Sequence, residues 1–165
     1  MKAISDIRTG IGFDIHQFAE GRKLILGGIE ISSERGLAGH SDADVVLHAI
    51  TDALLGSLAL GDIGIHFPNT DPRYKDAESS IFLKKANHLV AEKGFSISNL
   101  DVAIALENPK ISPYLEKMIS SISKMLNLST DRISIKATTA EKLGFVGREE
   151  GVFAFAIATV IKTEN

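Results

Sequence analysis

The chain contains no cysteine. Disulfides and thiolate chemistry are therefore excluded, and any metal must be held by imidazole and carboxylate. Positive charge is not in excess either: 18 Lys and Arg stand against 21 Asp and Glu, a formal net charge of −3. That balance argues against general affinity for nucleic acid or for an anionic membrane. A polyanionic ligand would have to be met locally, by metal, by helix N-termini or by a few basic side chains. No apolar run approaches the length of a membrane span. The segment Met1 to Asp6 lacks an apolar signal core and is not an Arg/Ser-rich transit peptide, so a cytoplasmic protein is expected. Internal repeats, low-complexity tracts and domain linkers are missing too. At 165 residues the chain is expected to form one domain, 1–165, with a substantial core of its own.

What is present is concentrated in Gly39 to Asp52 and runs on through apolar residues to Leu60. Ser41 followed by Asp44 has the shape of a capping box, with Asp in place of Glu or Gln. Beyond it, Val45, Val46, Leu47, Ala49, Ile50, Ala53, Leu54, Leu55 and Leu58 cover most of a helix circumference, the mark of a core helix. Asp44, His48 and Asp52 recur at i, i+4 and i+8 and form one polar stripe. A buried carboxylate is costly unless it is paired or coordinated, so the stripe needs a partner elsewhere in the chain.

Ile7 to Ile15 reads as a strand in which Gly10 and Gly12 mark a close approach of another backbone or a ligand. Lys23 to Ile31 reads as a hairpin around Gly27-Gly28, Ser32 to Gly39 as a polar loop, and Gly61 to Pro72 as a loop suited to face substrate, or else as a surface connection. Helices are expected over Ala77 to Lys93, with Gly94 as C-cap glycine, and over Ser112 to Leu126. Strands are expected over Ile97 to Leu106, Arg132 to Thr138 and Gly151 to Ile161, with one helical turn at Glu141 to Phe145. Strands interleaved with helices predict an α+β sandwich: a mainly β sheet with helices packed on one face.

Asp14 and His16 are two apart, so on a strand their side chains share a face. They are either two ligands for one metal or a strand end facing water. With His48 from the core helix they supply two nitrogens and one carboxylate oxygen, a zinc site with an open fourth position, as catalytic sites have. Taken alone, His48 reads more readily as a satisfied core histidine. His40 and Ser41 precede a helix N-terminus, which suits both capping and phosphate binding. Lys136 to Arg148 offers hydroxyls, a carboxylate and basic groups, which suit a metal-bridged diphosphate or merely a cap.

Four separated motifs together resemble the 2-C-methyl-D-erythritol 2,4-cyclodiphosphate synthase family. They are Gly10-Ile11-Gly12-Phe13-Asp14-Ile15-His16; Gly39-His40-Ser41-Asp42-Ala43-Asp44 with His48; Asp62-Ile63-Gly64 with Phe67-Pro68-Asn69-Thr70-Asp71; and Lys136-Ala137-Thr138-Thr139 with Glu141-Lys142-Leu143-Gly144-Phe145. The resemblance runs in order from about residue 7 to the end. It implies a lyase of the non-mevalonate isoprenoid pathway that closes 4-diphosphocytidyl-2-C-methyl-D-erythritol 2-phosphate into the cyclic diphosphate and releases CMP. It also implies a homotrimer, sheets facing inward, with active sites between adjacent subunits.

By position, the resemblance makes Asp14, His16 and His48 the ligands of one Zn²⁺ and Glu141 the ligand of Mg²⁺ or Mn²⁺. His40 and Thr139, aided by Ser41, would stabilise charge in the transition state. Asp14, Ile15 and His16 would lie against substrate. Asp62, Ile63 and Gly64, with Phe67, Pro68, Asn69, Thr70 and Asp71, would bind its methylerythritol phosphate part. Leu106, Glu107, Asn108, Pro109, Lys110, Ile111, Ser112 and Thr138 would form the cytidine pocket, largely through backbone, next to Ala140. Phe145 and Arg148 would line the 2-phosphate side or the trimer's central cavity. Asn69, Asn108, Ile111, Ser112 and Ala140 depart from the family's frequent residues, and no proposed metal ligand does. Asp44 and Asp52 are expected to support the site, either as acceptors for the ligating histidines' other N–H groups or as members of the helix stripe. The competing readings are a zinc phosphohydrolase with water as nucleophile and a non-catalytic nucleotide-diphosphate-binding module.

Overall fold

The computed structural model describes residues 6–163. Met1 to Ser5, part of the segment read as lacking a signal core, lie outside the described residues. Five strands form one sheet in the order β4 (Arg35–Leu37), β1 (Ile7–Glu20), β7 (Gly151–Lys162), β5 (Phe95–Ala105), β6 (Ile133–Thr138). All neighbours are antiparallel except β5 and β6. A two-stranded hairpin, β2 (Leu24–Leu26) and β3 (Ile29–Ile31), stands apart from the sheet. Its turn needs two residues in the left-handed region, and Gly27 and Gly28 supply φ of 62° and 76°. Helices α1 (Val45–Ser57), α3 (Ser80–Glu92) and α4 (Leu115–Leu126) cover one face of the sheet, as expected, and α2 (Ile63–His66) and α5 (Gly144–Gly147) are single turns. Among the described residues no helix is long and apolar enough to cross a membrane.

Alternation along β1 decides what the sheet can do. Gly10, Gly12, Asp14, His16 and Phe18 point towards the helices, whereas Ile7, Ile11, Phe13 and Ile15 are about half exposed or more on the other face. A Cβ at Gly10 would lie 2.0 Å from the Ala53 carbonyl oxygen, and one at Gly12 2.2 Å from that of Ala49. The two glycines thus let α1 rest directly on the strand, one helical turn apart. That close approach brings His48 to Asp14 and His16. Gly12→Ala must force helix backbone away from strand backbone, with no flexible side chain to give way. It is expected to cost about 3 kcal/mol or more, read as a drop in the urea midpoint of the metal-free protein.

Several boundaries differ from the sequence reading. The capping box is not formed: α1 begins at Val45, and Asp44 itself is the N-cap, accepting from the Val46 and Leu47 N–H groups. Strand β1 continues to Glu20, because its last residues pair with Arg35–Leu37, a strand inside the expected 32–39 loop. The 61–72 loop contains α2, capped by Asp62. Helix α3 starts at Ser80 rather than Ala77, and a 3-10 turn over Ser112–Tyr114 precedes α4. The turn expected at 141–145 falls at Gly144–Gly147, since Glu141 and Lys142 take left-handed φ of 50° and 63°.

Candidate metal centre and substrate pockets

Asp14 Oδ2, His16 Nε2 and His48 Nδ1 converge. Asp14 Oδ2 lies 2.9 Å from His16 Nε2 and 2.8 Å from His48 Nδ1, and the two nitrogens are 3.2 Å apart. Ligands on a tetrahedral zinc at ordinary bond lengths are about 3.3 Å apart, so the triangle has nearly the edge length such an ion requires. The His16 Nδ1–H donates to the Ala38 carbonyl at 2.6 Å, a bond in which the carbonyl can only accept. In neutral His16 the Nε2 therefore carries a bare electron pair facing a carboxylate oxygen. Such a cluster calls for a cation, and the donor set of two imidazoles and one carboxylate suits zinc.

When protonated, the imidazoles donate to the Asp14 carboxylate instead of presenting electron pairs. Burial works to raise the Asp14 carboxyl, but its bonds to His16 and His48 overcome this and hold it at about 2. Burial opposes charge on His16 as well, and the Asp14 carboxylate outweighs it, lifting the imidazole above its ordinary range. Among the described residues this is the one cluster of His, Asp and Glu side chains gathered closely enough to hold an ion.

The triad opens on a cavity of about 540 Å³ that is also lined by His40, Ser41, Ile63, Gly64, Phe67, Pro68, Asn69 and Thr70. Much of the expected substrate loop is therefore brought to the metal centre. Not every side chain is free for a ligand, however. The Phe67 ring packs 4.7 Å from Phe82 and 5.5 Å from Tyr74, Asp62 caps α2, and Asp71 pairs with Arg73 at 2.6 Å. Ser41 is buried, with its Oγ 3.3 Å from His48 Nε2 and accepting from the Ala43 N–H.

A second cavity of about 180 Å³ is lined by Leu106, Glu107, Pro109, Lys110, Ile111, Ser112, Ala137, Thr138 and Thr139. Glu107 is fixed there: its Oε1 accepts from the Ala140 and Lys142 N–H groups at 2.9 and 3.2 Å and shapes the turn after β6. Asn108 is drawn off to Glu149 at 2.8 Å. On the turn, the Thr139 hydroxyl donates to Glu141 at 2.7 Å. Glu141 does not join the triad. Ile15, Phe153, Ala105 and Thr138 lie in register across the sheet, so the two cavities are separated by three strand spacings, about 14 Å. They share no lining residue. Arg148 is paired with Glu150 at 2.8 Å, and neither it nor Phe145 lines either cavity.

The helix stripe splits. Asp44 turns away to the Gly27-Gly28 turn, and Asp52 accepts from the Ile63 N–H at 2.7 Å, tying the 61–72 segment to α1. Neither carboxylate bonds a ligating imidazole. Those partners are the Ala38 carbonyl for His16 and Ser79 for His48. Ser79, Tyr74 and Phe82 are residues of the site that the sequence reading missed, and Asp42, quoted there within a motif, was given no role. A serine inside an expected helix carries no signal of its own.

The YgbB family matches residues 7–161. A curated 2-C-methyl-D-erythritol 2,4-cyclodiphosphate synthase of Bacillus mycoides (strain KBAB4) is 55% identical over 94% of this chain and 98% of its own. Among solved structures, a 2C-methyl-D-erythritol-2,4-cyclodiphosphate synthase in a CDP-bound form is 38% identical, with a TM-score of 0.86 over 93% of this chain and 99% of that one. The bifunctional IspDF of Campylobacter jejuni is 43% identical, with a TM-score of 0.94 over 98% of this chain. This chain spans only 44% of that longer protein. The chain belongs to the YgbB family and, within it, to the 2-C-methyl-D-erythritol 2,4-cyclodiphosphate synthases.

Proposed function

We propose that the chain closes 4-diphosphocytidyl-2-C-methyl-D-erythritol 2-phosphate into the cyclic 2,4-diphosphate with release of CMP, as a cytoplasmic, single-domain enzyme. The observation that carries this reading is the triad of two nitrogens and one oxygen at the mouth of a cavity lined by the substrate loop. In the reaction a 2-phosphate oxygen attacks the β-phosphorus of the CDP group. The bond from that phosphorus to the bridging oxygen breaks, and CMP leaves with the oxygen. The nucleophile is already a phosphate dianion at neutral pH, so no strong general base is needed.

Asp14, His16 and His48 hold Zn²⁺ in this reading, and Glu141 holds Mg²⁺ or Mn²⁺. Bound there, the metals supply Lewis-acid polarisation of phosphate oxygens. The chain's own groups position and neutralise. His40 offers an imidazole at the cavity wall, and Thr139 a hydroxyl already held by Glu141. The 62–71 loop receives the methylerythritol phosphate part, and the 106–112 and 138–140 pocket receives cytidine. Two observations support a homotrimer with active sites between subunits. The cavities are separate within one chain, and Ile7, Ile11, Phe13 and Ile15 leave an apolar sheet face uncovered.

The test is ³¹P NMR of the zinc-loaded protein with Mg²⁺ and the CDP-linked substrate. CMP together with two coupled resonances of a cyclic diphosphate is the expected result. CMP with a linear diphosphate would instead make water the nucleophile, and tight binding without turnover would leave a binding module.

A further inference from the structure

We propose that Ser79, oriented by Asp42, is a positioning residue that sets the tautomer of His48 so that its Nδ1 presents an electron pair to the metal. The inference rests on reading Asp14, His16 and His48 as a metal centre, and it concerns residues which that reading leaves unused.

Ser79 is fully buried at the head of α3. A serine at that position ordinarily turns its oxygen onto the helix's first N–H groups, and this one makes no such bond. It is held instead by Asp42 at two points: Oδ2 accepts from the Ser79 N–H at 3.0 Å, and Oδ1 accepts from the Ser79 hydroxyl. Asp42 is itself anchored, its N–H donating to the Ala77 carbonyl at 3.0 Å and its Oδ1 accepting from the Asp44 N–H at 3.2 Å. A carboxylate can only accept, so the single Ser79 hydroxyl proton is committed to Asp42.

Ser79 Oγ therefore has only electron pairs to offer His48 Nε2, 2.8 Å away. The bond forms only if Nε2 carries the hydrogen, and neutral imidazole then has none on Nδ1. Nδ1 faces His16 and the Asp14 carboxylate, whose Oδ2 at 2.8 Å is the competing acceptor against which Ser79 holds the hydrogen on Nε2. Ser41 Oγ is a longer second partner, at 3.3 Å from His48 Nε2 and 3.4 Å from Ser79 Oγ, to which its own hydroxyl can donate. His16 is set in the same sense by a backbone carbonyl, whereas the setting of His48 depends on two side chains and is open to mutation.

Two variants test the relay. In Asp42→Asn the amide can donate to Ser79, which frees the hydroxyl to donate to His48 Nε2 and favours the opposite tautomer. In Ser79→Ala the acceptor at 2.8 Å is gone, leaving only Ser41 Oγ at 3.3 Å. ¹⁵N NMR of the metal-free protein at alkaline pH, with the His48 signal assigned by its loss in His48→Ala, should show the hydrogen on Nε2 in the native chain. Either variant should reduce that population, and chelator competition should show zinc held about 10- to 100-fold more weakly. If Ser79→Ala does not fold, the isosteric Asp42→Asn carries both measurements. The inference is overturned if native His48 carries its hydrogen on Nδ1. It is also overturned if zinc affinity stays within about twofold of native, or if affinity falls while the Nε2–H signal is kept. A native chain that takes up no zinc overturns the metal reading along with it; native zinc binding matched by both variants overturns this inference alone.

Discussion

His48→Ala is expected to abolish CMP release while leaving the chain folded. In the proposed reading the residue supplies one of three protein ligands, and its Nδ1 sits 2.8 Å from Asp14 Oδ2 and 3.2 Å from His16 Nε2. Two remaining ligands leave a half-built site, and with the metal goes the charge stabilisation on which a reaction with a substrate-borne nucleophile depends. Turnover should fall by about three orders of magnitude or more, and zinc should no longer be retained through gel filtration. The His48 side chain is 12% exposed and lies 6.0 Å from the Phe82 ring, so its removal opens the cavity wall rather than the centre of the core. The metal-free unfolding midpoint should move little beside the loss of activity. Cyclic product formed at near-native rate by this variant would refute the metal-centred mechanism.

The largest effect on stability is expected at Asp44, which is fully buried. Its carboxylate accepts from four backbone N–H groups: Gly27 at 2.9 Å, Gly28 at 2.6 Å, and Val46 and Leu47 at 3.1 Å each. One side chain thus caps the core helix and ties it to the β2–β3 turn. Asp44→Ala leaves these donors without partners, each a loss of the order of 1 kcal/mol or more, so a total of about 3–5 kcal/mol is expected by urea denaturation.

The pH dependence of Asp44 has a definite sign. Burial raises the carboxyl to about 6, against an ordinary 3.8, and the N–H bonds oppose this by less. The folded state therefore takes up the proton more readily than the unfolded chain. The resulting stabilisation is complete below the unfolded value and is lost as pH rises through about 6. Asp44→Asn has no such proton, so native stability measured against that variant should decline by about 2–3 kcal/mol between about pH 4 and about pH 7. A difference that stays flat with pH would show that the four N–H groups hold the anion without penalty.

The site was legible where its chemistry is local. Asp14 and His16 share a strand face because of their spacing, and β1 shows that face turned towards α1. The glycine pair announced a close approach, and α1 is what approaches. Asp44 misled because its i, i+4 spacing to His48 matches a helix face, whereas the helix starts one residue after it. Spacing assumes helical backbone, and an N-cap lies outside that assumption. Asp52 misled differently: it does lie on the helix, and the Ile63 N–H claims it first. Ser79 could not be found at all, because its two functional partners lie 37 and 31 positions away in sequence.

By itself, the sequence determined that any metal must be held by His and carboxylate, that helices lie against one face of a sheet, and that Asp14 and His16 share a strand face. These follow from composition, from periodicity and from motifs whose meaning is carried by short spacing. Only the tertiary structure decided which nitrogen of each histidine faces inward, which carboxylates serve the site and which serve the fold, and that the triad and the residues around Leu106–Ser112 and Thr138 line separate cavities in one chain. The reason is physical. A hydrogen bond is decided by the nearest partner in space, and packing, not position in the chain, brings that partner near.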